Sequence, residues 1–352
     1  MRPALPPDDL DKVLSLTASF WSQYGGARLF ITGGTGFIGM WLLEVIKQAN
    51  LRLGARMEAV VLSRNPAQAQ AFASHLFNEP WLQLIEGDVS NFRKPTGRFD
   101  LCVHAAADVA DGKKAGDHHK VFDSAVYGTR RVLDLAASSG AKKFLLTSSG
   151  AVYGVQPPTL ELIPESFPGA PSPLDIKSAY GNGKRAAEWL SCEAANRLDF
   201  DASIARIFAL VGPGLPLDGP FAAGNFIRDA IQQKPIHIQG DGRPVRSYLY
   251  MLDACVWLLH ILMNGERGQA YNVGSENPIS IAGLAEKIAT AATDSPLPMA
   301  QQTAPQAGEL TAPARYVPDT SRARKQLSLA QYTALDAALQ KTVEWSRKAI
   351  QA

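Results

Sequence analysis

Tyr180 and Lys184 stand four residues apart in the segment SAYGNGKRAAE, a spacing that puts both on one face of a helix. A phenol with a pKa near 10 is a poor base at neutral pH, but a neighbouring ammonium and a nearby cationic ring both favour the phenolate. Lowering it by about three units takes roughly 4 kcal/mol, within reach of two cations in a dry pocket. Upstream, TSSGAVYG ends an apolar run and supplies Ser149, a hydroxyl suited to holding a substrate oxygen while Tyr180 moves its proton. A tyrosine and lysine at this spacing also occur by chance, and Ser149 is what turns the pair into a catalytic trio.

The second constellation is TGGTGFIG, with Gly33, Gly36 and Gly39 between an apolar run and a helical pattern. Gly33 permits a tight turn, Gly36 lets backbone approach a pyrophosphate, and Gly39 lets helix and strand pack closely. Phe37 and Ile38, between the last two glycines, are counted with the cofactor-binding residues, and the N-terminus of the helix that follows faces the phosphates. The next apolar run ends in VVLSRNP, where a dinucleotide site often has a carboxylate for the adenine ribose. Here Ser63 and Arg64 stand there, and an arginine pairs bidentately with a 2′-phosphate. NADP is therefore favoured over NAD. Asp88, in EGDVS, is placed to bond the adenine amino group with Val89 beside the ring. Ala105, Ala106 and Ala107, in DLCVHAAA, leave room for the cofactor. His104 in the same run reads as a core histidine.

These residues need a scaffold. Apolar runs at Arg28–Thr32, Met57–Leu62, Leu82–Glu86, Leu101–Ala105, Lys143–Thr147 and Asp201–Phe208 alternate with helical stretches at Gly39–Gln48, Val121–Ser138 and Ala179–Asn196. A further alanine-rich helix follows Asn65-Pro66. Such alternation predicts an α/β fold, a Rossmann-type doubly wound parallel sheet covered on both faces. From about Gly212 the alternation weakens, which suggests a smaller, interleaved C-terminal substrate-binding lobe. The expected division is an N-terminal helical extension over 1–27 and a dinucleotide-binding domain over 28–211, continued by 250–275. The lobe then takes 212–249 and 276–352.

Composition narrows the partners. A net charge of +2 with 19% charged residues gives no reason to expect nucleic acid or an acidic membrane surface. Cys102, Cys192 and Cys255 have no metal-ligand spacing and form no even disulfide set, which favours a reducing, cytoplasmic setting. The acidic, proline-rich first residues do not read as a signal peptide, and no run is long and apolar enough for a bilayer. Asp117, His118, His119 and Asp123 read as a solvated helix start rather than a metal site.

Taken in order, TGGTGFIG, GDV, HAAA, GTRRVL, SSGAVYG, YGNGK, GDGRPVRSYLYMLD and YNVGS resemble the extended short-chain dehydrogenase/reductase superfamily. The likeness is to its NAD(P)-dependent nucleotide-sugar epimerase/dehydratase branch, over residues 29 to about 275. The resemblance implies that Ser149, Tyr180 and Lys184 are the catalytic trio, that Asn225 contacts the nucleotide phosphates, and that Arg246 clamps the substrate diphosphate. It also implies a homodimer formed through the helices carrying GTRRVLDLAASSG and YGNGKRAAEWL.

Within that branch, dehydratases carry an Asp–Glu pair at the positions of Gly150 and Ala151, and decarboxylases a glutamate at the second. Neither residue here can handle a proton. Hydride transfer at one carbon remains, with 4-keto reduction of an NDP-4-keto-6-deoxyhexose expected ahead of 4-epimerisation with a tightly held cofactor. A reductase of a non-sugar ketone, or a non-catalytic cofactor sensor, fits less well, because Arg246, Tyr180 and Lys184 are all present. The sequence departs from the branch at Ala125, at Ala209, and in QAGELTAPARY, which lacks an arginine before its Gly–acid pair. Arg315 and Arg322 are candidates to compensate.

Overall fold

Strand β1 (Arg28–Thr32) pairs in parallel with β2 (Glu58–Ser63) on one side and with β4 (Leu101–His104) on the other. From this central seam the sheet runs outward through β2 to β3 (Leu82–Glu86). In the other direction it runs through β4, β5 (Lys143–Ser149) and β6 (Asp201–Ile207) to a seventh strand, Ala270–Val273. All neighbours in this sheet are parallel. The computed structural model describes residues 2–107, 117–293, 298–301 and 313–351. The architecture is the expected doubly wound α/β sheet. All four residues of β4 are buried, as a strand covered on both faces should be.

Strand order reverses between β1 and β4, which opens a crevice beyond their C-terminal ends. Phe37–Leu53 follows β1 as a helix, His118–Ser139 leads into β5, and Ala179–Arg197 leads into β6. The last of these therefore delivers its N-terminal turns to the same edge of the sheet as β1, β4 and β5. Among the described residues three smaller ribbons lie outside the sheet, including Val245–Arg246 between Ile279–Ser280 and Arg315–Tyr316.

Two features depart from the periodicity. Met251–Asn264 is a helix buried nearly throughout, resting against β5, β6 and the Phe37–Leu53 helix. Being apolar all round, it shows no helical stripe in sequence. The N-terminal stretch forms two helices, Pro7–Leu16 and Ala18–Tyr24, but they are no mere appendage. Leu10, Val13, Leu14, Phe20 and Trp21 enter the same core as Trp41, and buried Asp9 accepts a 2.6 Å hydrogen bond from Tyr250 and pairs with Lys341. Trp41 is itself fully buried and donates to the Pro213 carbonyl at 2.7 Å. Asp117 stands at the start of the His118–Ser139 helix, as expected.

Candidate active site

Gly33 leaves β1 in the left-handed region (φ 71°), where an added Cβ would fall 2.5 Å from the Ala105 backbone. The turn after β1 is thus pressed against the end of β4, at the point where the crevice opens. At Gly39 a Cβ would meet the Gly33 carbonyl oxygen at 2.2 Å, so only glycine lets the helix sit this close to the strand. At Gly36 the nearest atom to an added Cβ lies 3.3 Å away, and the remaining space is open. Phe37 and Ile38, in the helix's first turn, border a cavity of about 460 Å³. A bare glycine edge leading to unsatisfied helix amides fits a dinucleotide pyrophosphate.

At the other end of the crevice, Arg64 and Asp88 border a second cavity of about 580 Å³ together with Asp117, Lys120 and Asp123. Ser63 is buried and its hydroxyl accepts the Asn65 amide at 3.2 Å. Arg64 is exposed at the tip of β2. The Asp88 carboxylate accepts from the Ser90 amide and hydroxyl. Val89 turns its side chain towards Gly128, where an added Cβ would come within 2.9 Å. Any contact it makes with an adenine ring must therefore come mainly from its backbone.

Ser149, Tyr180 and Lys184 meet on the wall of the first cavity, which Ala105 and Ala107 also line. The Ser149 hydroxyl accepts from the Ala151 amide at 3.2 Å. Lys184 is buried and donates to the Thr147 carbonyl of β5 at 2.8 Å, one helical turn beyond Tyr180. In the protein alone burial pushes the Tyr180 phenol above its ordinary value, and the neighbouring Ser149 hydroxyl only partly opposes this. The expected lowering therefore depends on a further positive charge, such as an oxidised nicotinamide ring. His104 sits behind, bonded to Thr32 at 2.7 Å and Thr129 at 3.1 Å. Burial, then the Lys184 charge, drives its pKa down to about 3, so it is a neutral core histidine.

Arg246 lines the same cavity from its ribbon and donates to the Val245 and Ala314 carbonyls at 2.8 and 3.3 Å. Asn225 does not join it. The wall takes Phe221, Ala222 and Ala223 from that segment, while the Asn225 carboxamide lies 3.5 Å from Arg228. Ala209 is part of the wall, and Ala125 lies where a Cβ on Gly183 would come within 3.0 Å. Its smallness thus lets the two helices pair closely. Arg322 is committed to the Ala270 carbonyl and Gln269, and Arg315 leans to the Glu161 carbonyl, so neither replaces the missing arginine at the cavity. Most of QAGELTAPARY falls outside the described residues.

Two groups escape the sequence reading. One is Tyr316, whose hydroxyl stands over Gly150, 2.5 Å from where a Cβ would sit there, on the same cavity wall as Ser149. The other is a buried ionic network behind the trio. Glu188, one turn beyond Lys184, accepts from the Ser148 hydroxyl at 2.6 Å and from Arg206 at 2.7 Å. Arg206 also donates to Tyr153 at 2.9 Å, and Tyr153 donates to Asn272 at 2.8 Å. This ties the Ala179–Arg197 helix to β5, β6 and the seventh strand. The YxxxK-like spacing continued to Glu188 is the one trace of it in the sequence.

A family model described as the NAD dependent epimerase/dehydratase family matches residues 29–274. UDP-glucuronic acid decarboxylase 2 of Arabidopsis thaliana is 30% identical over 266 residues, covering 75% of this chain. The match takes in 56% of that protein, so the chain spans little more than half its relative's length. UDP-glucose 4-epimerase from Thermotoga maritima, solved with UDP-glucose, shares the fold with a TM-score of 0.75 at 19% identity, over 92% of this chain and 99% of the other. UDP-glucuronic acid 4-epimerase from Bacillus cereus, in complex with NAD, gives a TM-score of 0.75 at 21% identity over 92% and 99%.

Proposed function

Because this chain belongs to the NAD dependent epimerase/dehydratase family, we propose that it transfers hydride at one carbon of a nucleotide-linked hexose, as a 4-ketoreductase of an NDP-4-keto-6-deoxyhexose. The carrying observation is the cavity wall: among the described residues it holds Ser149, Tyr180, Lys184, Arg246 and two further tyrosines, and no carboxylate. Elimination and decarboxylation need an extra proton-handling group, which Gly150 and Ala151 do not offer. Lys184 and Arg246 suit an anionic substrate, and a guanidinium fork suits a diphosphate.

When bound, the reduced nicotinamide supplies the hydride to the keto carbon. Ser149 holds the carbonyl oxygen, and Tyr180 gives it the proton that completes the alcohol. Arg246 anchors the diphosphate, from a lobe assigned to 212–249 and 276–352. Arg64 at the tip of β2 supports NADP over NAD. The reading places the enzyme in the cytoplasm, supported by three unpaired cysteines; among the described residues no helix is long and apolar enough to cross a membrane. It also assigns a homodimer, supported by exposed Tyr127 and Trp189 on the two paired helices.

A panel of UDP-, GDP- and dTDP-linked 4-keto-6-deoxyhexoses with NADPH tests the proposal. Stoichiometric NADPH oxidation with one of them is expected. Interconversion of 4-epimers without net cofactor consumption would indicate the epimerase that the fold also accommodates. Carbon dioxide release from UDP-glucuronic acid would overturn the reading.

A further inference from the structure

Leu215 lines the candidate cavity at the end of a tight turn, its amide donating to the Gly212 carbonyl at 3.1 Å. The turn is held by residues that do not reach the cavity wall. The Trp41 indole donates to the Pro213 carbonyl at 2.7 Å. Gly214 lies in the left-handed region (φ 87°), and an added Cβ there would stand 2.8 Å from Arg2 Nη2. The Arg2 guanidinium therefore lies directly against the turn. The chain next presses on Gly224, where an added Cβ would fall 2.1 Å from the Pro216 carbonyl oxygen. Gly224 belongs to the helix Ala222–Ile231, whose Ala222 and Ala223 also line the cavity. In a close-packed interior a shift of the turn passes to those residues.

Arg2 is 5% exposed and donates to the Glu44 carboxylate at 3.1 Å. Glu44, also buried, sits on the Phe37–Leu53 helix that starts at the glycine loop, and it meets His75 at 2.7 Å. The guanidinium also lies 5.3 Å from the centre of the Trp345 ring, on the last helix, Leu335–Gln351. Two backbone bonds hold the segment in place: the Arg2 amide donates to the Phe72 carbonyl at 2.8 Å, and the Trp345 indole donates to the Ala4 carbonyl at 2.9 Å. One planar fork thus joins the cofactor-side helix, the last helix and the cavity turn. Buried ion pairs add little net stability over apolar packing, so a geometric role accounts for this one better.

We propose that Arg2 is a positioning residue for the substrate side of the cavity. Pinned by Glu44 to the helix of the glycine loop, it sets where Leu215, Ala222 and Ala223 stand relative to the cofactor cleft. The inference rests on the reading of this cavity as the site of hydride transfer to a nucleotide-linked hexose. Glu44 lies about two turns beyond the phosphate-facing start of its helix. Loss of Arg2 therefore frees the turn and leaves the glycine loop in place.

Arg2→Met keeps the stem and removes the fork. In hydrogen exchange read by mass spectrometry, peptides over 212–217 and 222–225 should exchange about tenfold faster, with 33–39 within about twofold of the parent. In the NADPH assay, with the best substrate of the panel, KM should rise about tenfold while kcat stays within about threefold and the NADPH Kd within about twofold. Faster exchange spread evenly along the chain, or an unmoved KM in a folded variant, overturns the inference. If Arg2→Met fails to fold, combining it with Glu44→Gln leaves no stranded charge and must give the same pattern. Exchange needs no substrate, so the two levels separate. Locally faster exchange in a protein whose parent turns over none of the panel defeats the hydride-transfer reading and leaves the hold of Arg2 on the turn. Turnover with an unmoved KM defeats only the role of Arg2.

Discussion

Replacing Glu188 by alanine strands the Arg206 guanidinium inside the protein. The two side chains are 10% and 16% exposed and share three hydrogen bonds of 2.7, 3.0 and 3.2 Å. Burial alone would lower the Arg206 pKa, yet the Glu188 bonds and charge more than reverse this and raise it. Arg206 would keep only the Tyr153 hydroxyl and the Glu165 carbonyl, both neutral partners. Removing one member of a buried pair typically costs about 3–5 kcal/mol, because the surviving charge loses its compensation. With roughly 2.1 cal/mol/K of unfolding entropy per residue, a chain of 352 residues should lose about 4–7 °C in Tm. Replacing both partners, Glu188→Leu with Arg206→Met, leaves no stranded charge and should recover about 2–3 kcal/mol relative to the sum of the single changes. Guanidinium unfolding of the four proteins measures that coupling. Additive effects, or a Glu188→Ala loss under about 1 kcal/mol, would refute the reasoning.

Three other outcomes are expected. Arg64→Ala should weaken NADPH binding by about 10- to 100-fold, the worth of charge-assisted bonds to one phosphate, and leave NADH nearly unchanged; calorimetric titration of both cofactors checks it. Gly39→Ala drives a Cβ to 2.2 Å from the Gly33 carbonyl and 2.5 Å from the Gly34 Cα, and should cost at least about 1–3 kcal/mol along with cofactor affinity, read by thermal melting with and without NADPH. His104 has a folded pKa near 3 against 6.5 for a free imidazole, so the unfolded chain binds more protons between those limits. Its contribution to stability is therefore complete above about pH 6.5 and falls as pH drops towards 3, by at most about 1.4 kcal/mol per pH unit; His104→Gln should flatten that part of a stability-against-pH curve.

Much of the scaffold was legible because it obeys local rules. The spans Arg28–Thr32 and Leu82–Glu86 are strands with the bounds their apolar runs suggest, and Ala179–Arg197 extends the reading by a single residue. Short runs apolar on both faces, alternating with helical stretches, suit interior parallel strands, and glycine spacing marks the turn that no Cβ would allow. The helix Met251–Asn264 was not legible as one, since burial on every side erases the amphipathic stripe. Nor was the burial of the N-terminal helices in the main core.

At the site, the chemistry carried by neighbours in sequence was readable: Tyr180 and Lys184 one helical turn apart, Ser149 at a strand end, Gly33 to Gly39 before a helix. What joined them to partners far along the chain was not. Asn225 and Arg246 each looked like a substrate contact, yet only Arg246 reaches the cavity wall. Tyr316 comes to stand over Gly150 from far along the chain, and Arg206 and Asn272, on two strands, meet Tyr153 from the turn after β5. No periodicity encodes such meetings. Glycine spacing and helical phase act over a few residues and so are written in the sequence, whereas the phenol above Gly150 is there because sheet order and ribbon packing brought the Arg315–Tyr316 strand beside Val245–Arg246.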